Sequence, residues 1–249
     1  MNMKSLIALT ALTAAGAASA EVISGNTLCR IKIDSGTKNT IVAVPLVKVG
    51  TGEAIPANEL VLTDNLSLGD KLLHWNTTSE KWEAWAVNAS GAWESAYVSE
   101  QNKNWISGSA SSVALTRGDA VWVERSSASQ PFYIYGQVGD GSATMPEIAR
   151  ESGALTYIMM GNTNLQDVAI NSLTFNGTPV EGDKISVPVN TGLGVKEYTY
   201  DGSKWTQVGW DLDANDVLIP TVTETSAAIP AGQGFWYVAK QSSAAQQGE

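Results

Sequence analysis

The side chains that most often carry out chemistry in proteins are scarce in this chain. It has one histidine, His74, and one cysteine, Cys29, among 249 residues. A nucleophilic triad needs a base, usually histidine, within hydrogen-bonding reach of a serine or cysteine. A structural zinc site needs about four ligands, most of them Cys or His. The composition therefore predicts no catalytic residues, no cofactor-binding residues and no transition-metal site, and we expect a protein that is not an enzyme.

Both residues have a structural interpretation. Cys29 lies in the alternating run LCRIKI, where a lone cysteine is most often a small buried apolar side chain. A reactive thiol and a bridge to another chain are the alternatives. His74 lies in the apolar run LLHW, which predicts a strand, and we expect a structural role for it.

An acidic run near the end of the chain has a spacing that some cation sites use. Asp211, Asp213, Asn215 and Asp216 place oxygen-bearing side chains at nearly alternate positions, as Ca²⁺ loops do. An EF-hand loop would require Gly at its sixth position and Glu at its twelfth, where this chain has Asp216 and Val222. A solvated acidic turn is the favoured interpretation and a calcium site the alternative, so we expect folding to need no divalent cation.

Aromatic residues form the other candidate site. Nine Trp and seven Tyr stand against three Phe, a surplus that a saccharide-binding surface would explain. On an extended strand Trp82 and Trp85 point to opposite faces, and Trp85 is assigned to the inward face. The candidate exposed aromatic residues are Trp82, Trp105 and Trp210. Packing in a core or an interface is the favoured interpretation, and a sugar platform is the alternative.

The first twenty residues predict export. Lys4, an apolar run from Leu6 to Leu12 and the small-residue ending Ala18, Ser19, Ala20 form a secretory signal peptide. Its apolar part is too short to span a bilayer. Residues 1–20 are therefore set apart from the fold, and we expect a secreted, extracellular protein.

The charge balance argues against two classes of partner. The chain has 25 acidic and 15 basic side chains and a net charge of −10. Such a chain is repelled by phosphate backbones and by anionic lipid headgroups. We therefore expect neither nucleic-acid binding nor membrane insertion.

The chain contains an internal repeat. NELVLTDNLSLGDK, residues 58–71, aligns without a gap on NSLTFNGTPVEGDK, residues 171–184, at an offset of 113. Farther along, Trp93 matches Trp205 and Trp122 matches Trp236, and this recurrence favours core positions for them. A repeat with anchors in the same order indicates a duplicated unit.

The elements that must position these residues are strands. Short apolar or alternating runs separated by Gly, Asn, Asp, Ser and Pro occur throughout the chain after residue 20. The predicted fold class is all-β, with two tandem β-sandwich or partly open barrel domains that arise from an internal duplication. The predicted domains are residues 21–135 and 136–240, and a polar tail follows at 241–249.

The two units also share a local pattern that is known elsewhere. Each has an early apolar strand, a GDK turn, a Trp that follows a Gly, and a Gly before an aromatic strand, most plainly in AGQGFW at 231–236. This resembles the tandem extracellular β-domains of secreted bacterial surface proteins, which often end in a G-x-G-[FY]-W strand. The first unit departs from the pattern in GDAVW at 118–122. The resemblance implies an extracellular modular β-protein without catalysis, and it brings no catalytic residues to this chain.

Together these features favour a non-enzymatic secreted structural protein, a self-assembling subunit of an extracellular filament, surface layer or matrix. A secreted carbohydrate-binding pair of β-domains is the alternative. The expected partner is therefore another copy of the chain, and glycans are the alternative partner.

A head-to-tail contact is the specific hypothesis for assembly. The last aromatic strand is followed by the polar tail, whereas its counterpart in the first unit is followed by a further strand, FYIYG. The last strand is therefore expected to be an open acceptor edge, made of Phe235, Trp236, Tyr237 and Val238. The strand of the next copy that would fill it is made of Val22, Ile23, Ser24 and Gly25. Pairing of this N-terminal segment within its own domain is the alternative.

Overall fold

The structure is a computed structural model. It describes residues 20–22, 28–33, 39–51, 54–57, 67–91, 93–95, 105–106, 113–125, 131–139, 144–151, 153–188, 194–212, 218–224 and 226–241.

The described part of the chain is built from strands, which confirms the all-β prediction. The described residues contain no α-helix, and a 3-10 turn spans Ile170–Ser172. In chain order the strands are β1 Ala20–Val22, β2 Leu28–Ile33, β3 Asn39–Ala43, β4 Ile55–Pro56, β5 Lys71–Asn76, β6 Lys81–Val87, β7 Trp93–Ser95, β8 Trp105–Ile106, β9 Ala114–Leu115, β10 Ala120–Glu124, β11 Phe132–Gln137, β12 Thr156–Gly161, β13 Val168–Ala169, β14 Lys184–Pro188, β15 Val195–Tyr200, β16 Trp205–Leu212, β17 Leu218–Glu224, β18 Ala228–Ile229 and β19 Gly234–Ala239.

Two six-stranded sheets form the main layers. The first has the order β3-β10-β5-β6-β7, with β8 parallel to β6, and the second has the order β12-β19-β14-β15-β16-β17. All other pairs of the strands given above are antiparallel. A three-stranded sheet, β1-β2-β11, and two small pairs, β4-β9 and β13-β18, complete the described strands.

The alternation of side chains along the central strands explains the layering. In β10, Val121 and Val123 lie in the core of the first sheet, whereas Ala120 and Trp122 face a cluster shared by both sheets. Alternate residues of a strand point to opposite faces, so each large sheet has a core on one face. On their other faces the two sheets meet each other, through β3 and β10 of the first sheet and β12 and β19 of the second.

Each large sheet has a separate core. The first core takes buried residues from Cys29 through Ile134, and the second takes them from Met145 through Ala239. Cys29 is 1% exposed, which confirms the prediction that it is a small buried residue.

The strand order of the first sheet corresponds to that of the second. The order β3-β10-β5-β6-β7 in the first sheet corresponds strand for strand to the order β12-β19-β14-β15-β16 in the second. The pair β4-β9 likewise corresponds to the pair β13-β18. The registers agree as well, because Lys71 pairs with Ala86 and Lys184 pairs with Thr199, both shifted by the offset of 113. The division into two domains that arose by duplication remains a prediction.

The outermost strand of the second sheet is β17. Within the described residues it pairs with β16 alone, and Pro220 lies opposite Trp210 in that pair. A proline inside a strand is typical of a sheet edge, because it has no backbone N–H to donate.

Candidate functional site

The repeated GDK motif forms the same turn twice. The N–H of Asp70 donates to the carbonyl oxygen of Ser67, and the N–H of Asp183 donates to that of Val180, at 2.9 and 3.0 Å. In return, the Asp70 carboxylate accepts a hydrogen bond from the N–H of Ser67, and the Asp183 carboxylate accepts one from the N–H of Val180, both at 2.9 Å. The glycine before each Asp has a positive φ, 88° and 93°, a conformation that glycine adopts without strain. The motif therefore encodes a tight turn closed by a buried carboxylate.

Asp183 is the centre of a buried polar cluster. It is fully buried. Arg150 donates to both carboxylate oxygens, from Nη1 at 2.8 Å and from Nη2 at 2.6 Å. The Tyr237 hydroxyl donates at 2.5 Å and the backbone N–H of Lys240 at 2.8 Å. With the bond from Val180, the carboxylate has five donors, and both of its oxygens are occupied.

The electrostatics of this cluster favour the charged carboxylate. Burial alone would raise the pKa of Asp183, but the hydrogen bonds from Arg150, Tyr237 and the backbone hold that pKa below its usual range. The same ion pair raises the pKa of Arg150, and burial together with the bond to Asp183 raises the pKa of Tyr237. The cluster therefore holds one negative charge, one positive charge and a neutral hydroxyl at neutral pH.

The first turn uses a different arginine. Asp70 is also fully buried, and its carboxylate lies 3.7 Å from Nε of Arg125, which is 4% exposed. Arg125 follows β10, whereas Arg150 precedes β12. Each turn therefore contains its own buried carboxylate, but the arginine that pairs with it comes from a different part of the chain in each case.

The one histidine belongs to a cross-strand group on β5 and β6. His74 lies opposite Glu83, and its Nδ1 is 2.8 Å from the Glu83 carboxylate, which also accepts a bond from the Asn76 amide at 3.0 Å. The hydrogen bond to His74 lowers the pKa of Glu83 against the opposing effect of burial. The contact of His74 with Glu83 links β5 to β6, which is a structural role.

The two large sheets meet through reciprocal backbone bonds. The N–H of Ala43 in the first sheet donates to the carbonyl oxygen of Gly232, before β19, at 2.9 Å. The N–H of Gly161 in the second sheet donates to that of Gly118, before β10, at 2.8 Å. Ala43 pairs with Ala120 as Gly161 pairs with Gly234. Each half of the contact therefore repeats the other.

Small residues at this contact let the backbones come close. A methyl group on Gly161 would lie 2.5 Å from Cβ of Ala43 and 2.7 Å from the carbonyl oxygen of Asp119. A methyl group on Gly234 would overlap the Ile41 side chain and lie 2.9 Å from Cβ of Ala120. Such distances are below van der Waals contact, so any side chain at either glycine would force the sheets apart.

Three indoles flank the small residues on one side. Trp75, Trp82 and Trp236 pack edge to face, with ring centroids 5.3 to 6.1 Å apart. Nε1 of Trp75 donates to the carbonyl oxygen of Tyr157 at 2.8 Å, and the 47% exposed Tyr157 ring lies 6.4 Å from the ring of Trp236. The cluster thus spans both sheets and ends at one exposed ring.

The structure corrects the expected positions of several tryptophans. Trp82 is half-buried in the indole cluster and not exposed, which agrees with the favoured interpretation of interface packing and not with a sugar platform. Trp122 and Trp236 are half-buried between the sheets and not in the core of either, because they lie on the strand face opposite Val123 and Tyr237. Trp85 is fully buried, and Tyr198, at the matching place of the second sheet, is 3% exposed.

The expected acceptor edge is wrong. Phe235, Trp236, Tyr237 and Val238 belong to β19, which lies between β12 and β14 and pairs with both. The position of a strand within a sheet depends on long-range pairing, which the end of the chain did not reveal. A strand with two neighbours offers no free edge, so no incoming strand can add there.

The expected donor strand also pairs elsewhere. Val22 lies opposite Cys29 in β2 of its own chain, in agreement with the alternative of pairing within its own domain. Ile23, Ser24 and Gly25 lie outside the described residues. So do Asp213, Asn215 and Asp216 of the acidic run and the side chains of Trp105 and Trp210.

Sequence reasoning missed the cluster around Asp183. The signal that could have found it is the GDK motif, since an acidic residue retained between Gly and Lys in both units points to a shared structural task. Its partners gave no local signal, because Arg150 and Tyr237 are distant in the chain.

Comparison of the chain with known protein families, curated proteins and solved structures finds no match. In the part of the chain that the structure describes, no group of three or more His, Cys, Asp or Glu side chains is arranged to hold a metal ion. Within the same residues no helix has the length and apolar character that crossing a membrane requires.

Proposed function

We propose that this chain is a secreted, non-enzymatic structural protein, a self-assembling subunit of an extracellular filament, surface layer or matrix. The signal peptide in the first twenty residues and the resemblance to tandem surface β-domains support export and an extracellular setting. The acidic surface charge of the chain favours solubility before assembly.

The observation that carries the proposal is the use made of the buried Asp183 cluster. A catalytic carboxylate needs a free oxygen within reach of a substrate, whereas both oxygens of Asp183 are bonded to groups of the fold. These bonds tie the segment before β12, the GDK turn and the end of β19 together. Because the polar groups of this cluster bond to one another and join separate segments of the fold, they support a structural role for the chain.

Electron microscopy tests the proposal directly. The chain from Glu21 onward is purified, concentrated and followed by negative staining and by sedimentation. We expect ordered fibres or lattices whose amount grows with protein concentration. A sample that stays monomeric at every concentration, salt and pH tested would overturn the structural role.

A secreted carbohydrate-binding protein is the second candidate, and the exposed ring of Tyr157 favours it. This ring lies at the end of the indole cluster, where a sugar could stack on an aromatic face. Binding to a glycan array that is lost in Tyr157→Ala and kept in Tyr133→Ala would support this candidate. No binding to any glycan by the wild-type chain would remove it.

A further inference from the structure

The contact between the two large sheets consists of matching halves. In the first sheet the N–H of Val44 donates to the backbone carbonyl oxygen of Asp119, and in the second the N–H of Asn162 donates to that of Gln233, at 2.9 and 3.1 Å. These pairs have equivalent places in the two sheets. Together with the reciprocal bonds of Ala43 and Gly161, they relate the two halves by an approximate two-fold axis. A two-fold contact is self-complementary.

The same contact is apolar and closely fitted. Ile41 and Ala120 from the first sheet and Met159 from the second are at most 4% exposed, and the indole rings pack around them. The side-chain amide of Gln233 donates to the carbonyl oxygen of Ile41 at 2.8 Å. Exposure of such an apolar surface to water is unfavourable. If the two halves of a chain separate, each half is therefore expected to cover this surface again.

One short connection joins the two halves. Nη1 of Arg117 donates to the carbonyl oxygen of Gly139 at 3.3 Å, which holds the start of the connection on the first half. Met145 lies in the second core and Arg150 is bonded to Asp183, so the second half begins there. Few residues therefore link the two halves covalently, and their other contact is the non-covalent one between the two large sheets.

We propose that a second copy of this chain is the partner that this surface fits: the first half of one copy binds the second half of another, in the contacts made by Ala43, Gly161, Gly232 and Gly118. Such an exchange adds no new interface, because every bond of the closed chain forms again between copies. Exchange of identical elements is a low-cost route to oligomers, and a short connection promotes it.

This inference deepens the proposed function and rests on it for its biological meaning. If two copies exchange halves with each other, the product is a closed dimer. If each copy passes its second half to the next, the product is an open chain of copies. The exchange gives self-assembly a physical basis that the corrected N-terminal strand hypothesis does not provide.

Two single-cysteine variants test the exchange. Val42 and Gln233 form an antiparallel bridge between the halves, and residues opposite in such a bridge have Cα atoms about 4.5 to 5.5 Å apart, within disulfide range. Val42→Cys and Gln233→Cys are made separately, each with Cys29→Ala. The two are mixed, opened in denaturant, refolded together and oxidised. We expect a disulfide-linked heterodimer on a non-reducing gel, in an amount that rises with concentration.

The matched control carries both cysteines in one chain. If the double variant forms its disulfide within one chain while the mixed single variants give no heterodimer, the inference is overturned. A second measurement changes the connection: deletion of residues 141–143 should convert the folded chain to dimers or larger species, and a Gly-Ser insertion there should keep it monomeric. A folded deletion variant that stays monomeric would also overturn the exchange.

These outcomes separate the inference from the proposed function. Heterodimers without fibres would support exchange and count against a filament role. Fibres from a chain that forms no heterodimer would support the structural role and assign assembly to another surface.

Discussion

Asp183 and Arg150 form a bidentate ion pair, with two parallel hydrogen bonds of 2.8 and 2.6 Å between a fully buried carboxylate and a guanidinium that is 16% exposed. The pair joins the GDK turn to the segment that leads into β12. Removing one member of such a pair leaves the other charged and buried, which costs far more than the net value of the pair.

Asp183→Asn should therefore destabilise the second half strongly. We expect a loss of about 3 to 5 kcal/mol in the free energy of unfolding, measured by urea denaturation. Asp201→Asn is the control, since Asp201 is an exposed residue that closes a surface turn. Equal stabilities of the two variants would show that the ion pair contributes little.

Stability should fall in acid, and the lowered pKa values set the direction. The pKa of Asp183 and that of Glu83 are lower in the folded chain than in the unfolded chain. The stabilisation from each group is therefore complete above its unfolded pKa, about 4, and is lost as the pH falls through the folded value. Urea midpoints measured from pH 7 to pH 3 should decrease.

A variant identifies the source of the acid effect. Asp183→Asn removes one of the two groups, so its urea midpoint should fall less between pH 7 and pH 3 than that of the wild type. An identical acid dependence in both proteins would assign the effect to other carboxylates.

Gly161→Ala should push the two sheets apart. The added methyl would meet Ala43 and the carbonyl oxygen of Asp119 at sub-contact distances, and overpacking of this kind typically costs about 1 to 3 kcal/mol. Ala43→Gly occupies the equivalent place in the first sheet and creates no clash, so it serves as the control. Thermal unfolding measures both.

The double variant Ala43→Gly, Gly161→Ala should recover part of the lost stability. It removes the contact with the Ala43 methyl but leaves those with the carbonyl oxygen of Asp119 and with Cα of residue 43. Simple addition of the two single effects would contradict direct contact between these positions.

Trp236 should matter more to stability than Trp122, although the two are matched in sequence. The ring of Trp236 packs edge to face on those of Trp75, Trp82 and Tyr157, and each such pair adds about 0.5 to 1.5 kcal/mol beyond burial. Trp236→Ala is therefore expected to lower the urea midpoint more than Trp122→Ala. The reverse order would remove the indole cluster as a source of stability.

The sequence predicted much of the strand content but little of the strand order. Alternation places Trp85 on the inward face and Trp82 on the other, and the structure agrees. It was not evident that the strand of Trp236 lies in the middle of a sheet, because the neighbours of a strand come from distant parts of the chain. The buried cluster was hidden for the same reason, since Asp183 meets an arginine 33 residues earlier and a tyrosine 54 residues later.

Pro220 in β17 limits how the second sheet can grow. A proline in an edge strand faces the missing donor outward, so a strand that added beside β17 would find a gap in the ladder of hydrogen bonds. Natural sheets use this device against uncontrolled lateral stacking. Pro220 therefore limits lateral extension of the second sheet beyond β17, which is the kind of strand addition by which amyloid-like growth proceeds.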